Sequence, residues 1–139
     1  MSDLSAEMID RLLREATVAR ANAHAPYSDF AVGAAVLDSG GRFHSGCNVE
    51  NASFGLGVCA ERNAVAAAVA AGARTIEALV VVTATSPPAT PCGACRQVMA
   101  EFGDFPVILA NLEGQSCSTS VAELLPDAFG PETLVKSQK

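Results

Sequence analysis

Apolar positions along the chain fall into alternating helix-like and strand-like groups. Ile9, Leu12, Leu13, Ala16 and Ala19 recur every three or four residues and so share one face of a helix, with Ser5 placed to cap its start. That helix ends before Pro26, whose ring disfavours helical geometry in the residue preceding it. Residues 30–37 then read as a strand, Asp38-Ser39-Gly40-Gly41 as a tight turn, and residues 42–49 as the returning arm of a hairpin. Beyond a loop containing Gly55 and Gly57, the alanine-rich stretch 59–71 has high helix propensity, and Gly72 can terminate it. Residues 76–83, IEALVVVT, are apolar on both faces, as in a strand covered on both sides.

A proline-rich loop at 86–91 leads into a helix over 92–102, followed by a strand at 106–110. Strand, helix, strand implies a parallel crossover. The next connection, 111–115, is too short for another, so a fifth strand at 116–120 should run antiparallel to the fourth, with a short helix at 121–125. The pattern predicts an α/β fold, a three-layer α/β/α sandwich around a mixed five-stranded sheet. The 139 residues fit one domain, with 135–139 expected as a frayed polar tail.

Charge narrows the partners. A net charge of −6 with only nine Lys plus Arg disfavours binding to a polynucleotide backbone, so no nucleic-acid partner is expected. The opening MSDLSAEMID has no basic-then-apolar leader and no run of 18 apolar residues occurs, which predicts an unexported protein without a membrane partner. Five cysteines, three of them grouped as C-A-E and C-G-A-C, suggest thiolate chemistry in a reducing cytoplasm rather than a disulfide framework.

Those two motifs open the second and third helices. Cys92 and Cys95, three residues apart in a first turn, can hold one metal ion, and Cys59 supplies a third ligand. Three protein ligands leave a tetrahedral position for water, the arrangement of a catalytic zinc, whereas structural zinc takes four. Glu61, two residues from a ligand, is placed to move protons without binding the metal. Three thiolates on a dication need compensation. The two helix N-termini and Arg62 can supply it, with Arg96 a second cation of less certain direction.

C-A-E-R followed by P-C-G-A-C-R-Q resembles the signature of the small homotetrameric zinc-dependent cytidine deaminases. A-P-Y-S-D-F-A-V-G-A-A, G-C-N-V-E-N-A-S-F-G and E-L-L-P-D-A-F are similar to further family segments in the same order, so the resemblance runs from about residue 16 to 129. It implies Zn2+ on Cys59, Cys92 and Cys95, with Glu61 as proton shuttle and Arg62 tempering the thiolate charge. The reaction implied is hydrolytic deamination of cytidine and deoxycytidine to the uracil nucleosides in pyrimidine salvage. Asn48 and Glu50 match the pair that recognises ribose, Phe30 an aromatic beside the nucleoside, and Ala60 a backbone contact to the pyrimidine carbonyl. Phe129 matches an aromatic that reaches the base from a neighbouring subunit of a homotetramer.

Asn63, Phe54 and Ala31 depart from the family's usual residues, none at the metal or the shuttle. Other readings remain. One is a deaminase of a modified cytosine nucleoside or of an antibiotic, resembling blasticidin S deaminase. Another is a non-catalytic zinc-stabilised module whose fourth ligand is Cys47 or His44. Cys47 and Cys117 otherwise read as small buried strand residues, His24 and His44 as neither ligands nor bases, and Phe30 and Phe129 could be ordinary core aromatics.

Overall fold

The computed structural model of the chain describes residues 4–137. Its sheet has five strands, β1 (Gly33–Asp38), β2 (Phe43–Cys47), β3 (Ile76–Thr83), β4 (Pro106–Asn111) and β5 (Ser116–Ser120), in the order β2-β1-β3-β4-β5. β3 and β4 are parallel; each other neighbouring pair is antiparallel. The helices are α1 (Ala6–Arg20), α2 (Ala60–Ala70), α3 (Gly93–Ala100), α4 (Val121–Leu124) and α5 (Pro131–Ser137), with a single 3-10 turn at Phe54–Leu56.

Alternation along the strands builds two cores. On one face, Leu12 and Ala16 of α1 pack over Ala35, Leu37, Val80, Val82 and Ile108. On the other, Ala60, Ala64 and Ala68 of α2 and Cys95 and Met99 of α3 cover Val36, Leu79, Val81 and Leu109. The sandwich therefore carries α1 on one side and the two motif-bearing helices, with α4, on the other. Both layers sit close to the sheet because glycine lies where a side chain would collide. A Cβ on Gly33 would fall 1.9 Å from the Ala16 carbonyl oxygen, and one on Gly46 would fall 2.5 Å from the Ala64 nitrogen.

Polar contacts fix the element ends. Ser5 accepts a hydrogen bond from the Met8 amide at 3.1 Å, which caps α1. The C-terminus of α2 receives two arginines, Arg42 donating to the Ala71 carbonyl at 2.8 Å and Arg74 to the Val69 carbonyl at 3.2 Å, complementing the negative end of the helix dipole. At the hairpin turn, buried Asp38 accepts from the Gly40 and Arg42 amides and from Arg42 Nε, and His44 Nε2 lies 2.9 Å from its carboxylate. Burial works to raise the Asp38 pKa, but His44, the two amides and the Arg42 charge outweigh it and hold the carboxyl at about 2.

β3 and β5 occupy the expected residues, and β5 runs antiparallel to β4. Four expectations need correction. β1 begins at Gly33 rather than 30, because the Asn48 side chain takes the Val32 amide and the Phe30 carbonyl, holding residues 30–32 outside the ladder. Its partner β2 is confined to Phe43–Cys47. Cys117 is exposed, since β5 is an edge strand with polar residues on either side. Lastly, α5 covers residues 135–137 of the supposed tail, started by Pro131 and Glu132, residue types that suit a first helical turn, while 138 and 139 lie outside the described residues.

Candidate active site

Cys59 and Cys92 are the N-cap residues of α2 and α3, each in the extended backbone conformation from which a cap enters a helix. The two helices flank the same end of β3, so their first turns converge. The Cys59 and Cys92 sulfurs are 3.7 Å apart and those of Cys92 and Cys95 3.5 Å, with all three within 4.8 Å of one another. Three sulfurs at ~2.3 Å from a tetrahedral zinc would stand ~3.8 Å apart, so the arrangement fits the ion with little adjustment. Neither His44 nor Cys47 belongs to this cluster among the described residues, and His44 is committed to Asp38.

The thiols differ in environment. Burial raises the pKa of Cys95, and of Cys59 to a lesser degree. At Cys92 burial also acts upward, but the peptide N–H groups of Cys95 and Ala94 and the adjoining thiols outweigh it and lower the value. Arg62 faces the cluster. Burial disfavours its charge, yet the adjoining Cys59, with further charge from Cys95 and Cys92, raises its pKa overall. Arg62 also donates to the Gly57 carbonyl at 3.3 Å, and its Nε is buried without a hydrogen-bond partner. An unsatisfied donor beside three thiols suits a metal-loaded site, in which the sulfurs become thiolate acceptors.

Arg96 points elsewhere. Its Nε donates to the Pro91 carbonyl and its NH1 to the Leu124 carbonyl, each at 2.8 Å, so it ties the start of α3 to α4 and leaves Arg62 as the cation at the sulfurs.

A cavity of about 170 Å³ opens at the cysteines. Cys59, Ala60 and Glu61 form one wall, Val81 and Thr83 of β3 the floor, Phe30, Val32 and Asn48 a second wall, and Ala89, Thr90 and Cys92 the third. Glu61 is only 6% exposed, which raises its pKa; its own amide, the Cys95 thiol and Arg62 pull the other way without reversing the shift. A carboxyl whose charged form is disfavoured by burial is suited to take up a proton and pass it on. The cavity thus unites Cys59, Cys92, Glu61, Ala60, Asn48 and Phe30, all singled out by the sequence.

Cys95 and Arg62 stand at the sulfur cluster without lining the cavity, and two other residues lie apart from both. Glu50 lines an adjoining groove with Tyr27, Ser28 and Phe54, its carboxylate accepting from the Tyr27 amide at 3.0 Å, the Ser28 amide at 3.2 Å and the Ser28 hydroxyl. The Ser28 hydroxyl bond leads the interactions that lower its pKa. Phe129 is 58% exposed, and its carbonyl accepts from Gln97 on α3 at 2.8 Å. Thr83, Ala89 and Thr90 were not singled out from sequence. The one available signal was their position, immediately before or within the loop that leads to Cys92.

A family model described as "Cytidine and deoxycytidylate deaminase zinc-binding region" matches residues 6–111. A cytidine deaminase of Sporosarcina psychrophila is 49% identical over 128 residues, covering 91% of this chain and 94% of the relative. One of Mycobacterium tuberculosis is 42% identical, over 89% and 91% of the two chains. Among solved structures, cytidine deaminase from Burkholderia pseudomallei superposes with a TM-score of 0.83 at 51% identity, over 86% of this chain and 98% of that one.

Proposed function

This chain belongs to the cytidine and deoxycytidylate deaminase family, and on that premise we propose how its own residues divide the work of the reaction. The enzyme is a zinc-dependent hydrolase that replaces the C4 amine of cytidine and deoxycytidine by oxygen, releasing ammonia, in pyrimidine salvage. What carries the assignment of roles is the position of Glu61, buried in the same small cavity as the convergent sulfurs.

Cys59, Cys92 and Cys95 would hold the zinc, which when bound would supply the Lewis acidity that makes water a nucleophile near neutral pH. Glu61 removes a proton from the attacking water and delivers it to ring N3 as the C4–O bond forms. It then takes the remaining hydroxyl proton and passes it to the exocyclic nitrogen, so that ammonia departs with the C–N bonding pair and Glu61 ends in its starting state. Its burial keeps the carboxyl away from bulk water, so that it exchanges protons with the groups in the cavity. Arg62 offsets the negative charge of the thiolates from the α2 side.

Substrate placement follows the walls. Ala60 meets the pyrimidine ring with its backbone, Phe30 packs beside the nucleoside and Asn48 stands at the ribose end of the cavity. Glu50 reaches the ribose from the adjoining groove, which requires the sugar to lie across the rim that separates the two depressions. Phe129, exposed on one subunit, serves the site of the next in a homotetramer. The exposed apolar side chains of Tyr27, Phe54 and Leu56 support subunit association. A single domain acts as the protomer, and the reduced thiols the site requires support a cytoplasmic location.

Ultraviolet absorbance of the purified protein with cytidine and with deoxycytidine tests this reading, run beside Glu61→Gln with zinc measured in both proteins. The cytosine band should disappear with the native protein alone, at equal metal content. Persistence of the band despite bound zinc would overturn the assignment.

A further inference from the structure

We propose that Thr83 is a positioning residue for substrate binding, setting the β3–α3 loop against the nucleoside through a hydroxyl relay; this rests on the deaminase reading. The loop between β3 and α3 has no regular structure, yet it supplies Ala89 and Thr90 to the cavity wall and ends at Cys92. Something other than secondary structure must hold it in place.

Thr83 is the last residue of β3, 2% exposed, with its side chain on the cavity floor. Its Oγ1 is 3.0 Å from Thr85 Oγ1, and Thr85 donates to the Pro87 carbonyl at 2.8 Å. A threonine has one hydroxyl proton, so Thr85 spends its own on Pro87 and Thr83 must be the donor to Thr85. Thr83 Oγ1 also lies 3.5 Å from the Ala89 amide, which donates to it. One buried hydroxyl therefore reaches both ends of the loop, Thr85 as it leaves β3 and Ala89 as it enters the cavity wall.

The outer side of the loop is braced independently. Asn111, buried at the end of β4, donates through Nδ2 to the Thr85 carbonyl at 3.0 Å and to Gln115 Oε1 at 2.6 Å, while Oδ1 accepts from the Glu113 and Gln115 amides. This brace fixes where the loop leaves the sheet. Among the described residues the Thr83 hydroxyl alone links that exit to Ala89 by side-chain hydrogen bonds, and so sets the wall that closes on substrate. The wall touches substrate before and during the reaction, so its displacement weakens both states alike and appears in KM rather than kcat.

Thr83→Val keeps the side-chain shape and removes both hydrogen bonds, while Thr83→Ser keeps the hydroxyl. Loss of a buried hydrogen bond with its partners left unpaired corresponds to roughly five- to 150-fold. Thr83→Val should raise KM for cytidine by about that factor, with kcat within about twofold of native. Its zinc content should be unchanged, and Thr83→Ser should return KM to near the native value. Thr85→Val breaks the same relay at a half-buried position and should raise KM likewise, which keeps the test open if Thr83→Val folds poorly. A lowered melting temperature with native KM in both valine variants would assign the relay to stability alone and overturn the inference. An equally raised KM in Thr83→Ser would overturn it too. Failure of the native protein to deaminate cytidine would instead remove the catalytic reading and this inference with it.

Discussion

At the scale of single residues, the site's chemistry separates into groups that sequence spacing reveals and groups that only the fold brings in. Glu61 is of the first kind. Glu61→Gln keeps shape and burial but cannot carry a proton, so kcat should fall by about 10²–10⁴-fold at unchanged zinc content. Steady-state rates beside metal analysis check this, and a smaller loss at full occupancy would remove Glu61 from the proton path. The three cysteines were legible for the same reason, since short spacing on a first helical turn is a local property. Thr83 was not, because its partners are set by how the loop folds back, and Glu50 was legible only in part, because Ser28, 22 residues away, draws its carboxylate into the neighbouring groove. Asp38 carries a different prediction. Its folded pKa of about 2 lies below the ordinary 3.8, so its contribution to stability is complete above 3.8 and is lost as pH falls toward 2. Denaturant midpoints of the native protein and Asp38→Asn should therefore differ at mildly acidic pH and converge across that window; a constant gap would contradict the linkage.

At the scale of elements, the helices and central strands could be read because their signals are periodic and local. α1 follows its cap and apolar stripe, and β3 its uninterrupted run. The ends were less legible wherever a side chain replaced a backbone partner, as Asn48 does beside residues 30–32. α5 escaped notice because a seven-residue polar helix has almost no apolar periodicity to show. Glycine at positions 33 and 46 sets how closely α1 and α2 approach the sheet, a distance that no local pattern encodes. Gly33→Ala should thus push α1 off β1, at a cost of about 3 kcal/mol, the upper part of the range for overpacked cores. Urea denaturation would measure this. A cost below about 1 kcal/mol would mean that the helix shifts freely, contrary to the contact with the Ala16 carbonyl.

For the whole molecule, the layered fold followed from element order, whereas strand order and the division of the helices between faces did not. Assembly belongs to this scale as well. With Phe54 78% exposed and Leu56 65%, the double substitution Phe54→Glu with Leu56→Glu should convert the proposed tetramer into smaller species by sedimentation velocity. Activity per chain should fall as Phe129 is lost from the neighbouring site. A native protein that sediments as a fully active monomer would sink this prediction. The thiol cluster has one more consequence, a mechanical one. Zinc held by Cys59 and Cys95 would short-circuit the chain around β3, so that a pull on the two termini would pass through the metal and bypass the central strand. The loaded protein, stretched under a probe, should extend by roughly 120 Å less than the metal-free chain, and chelation should release that hidden length.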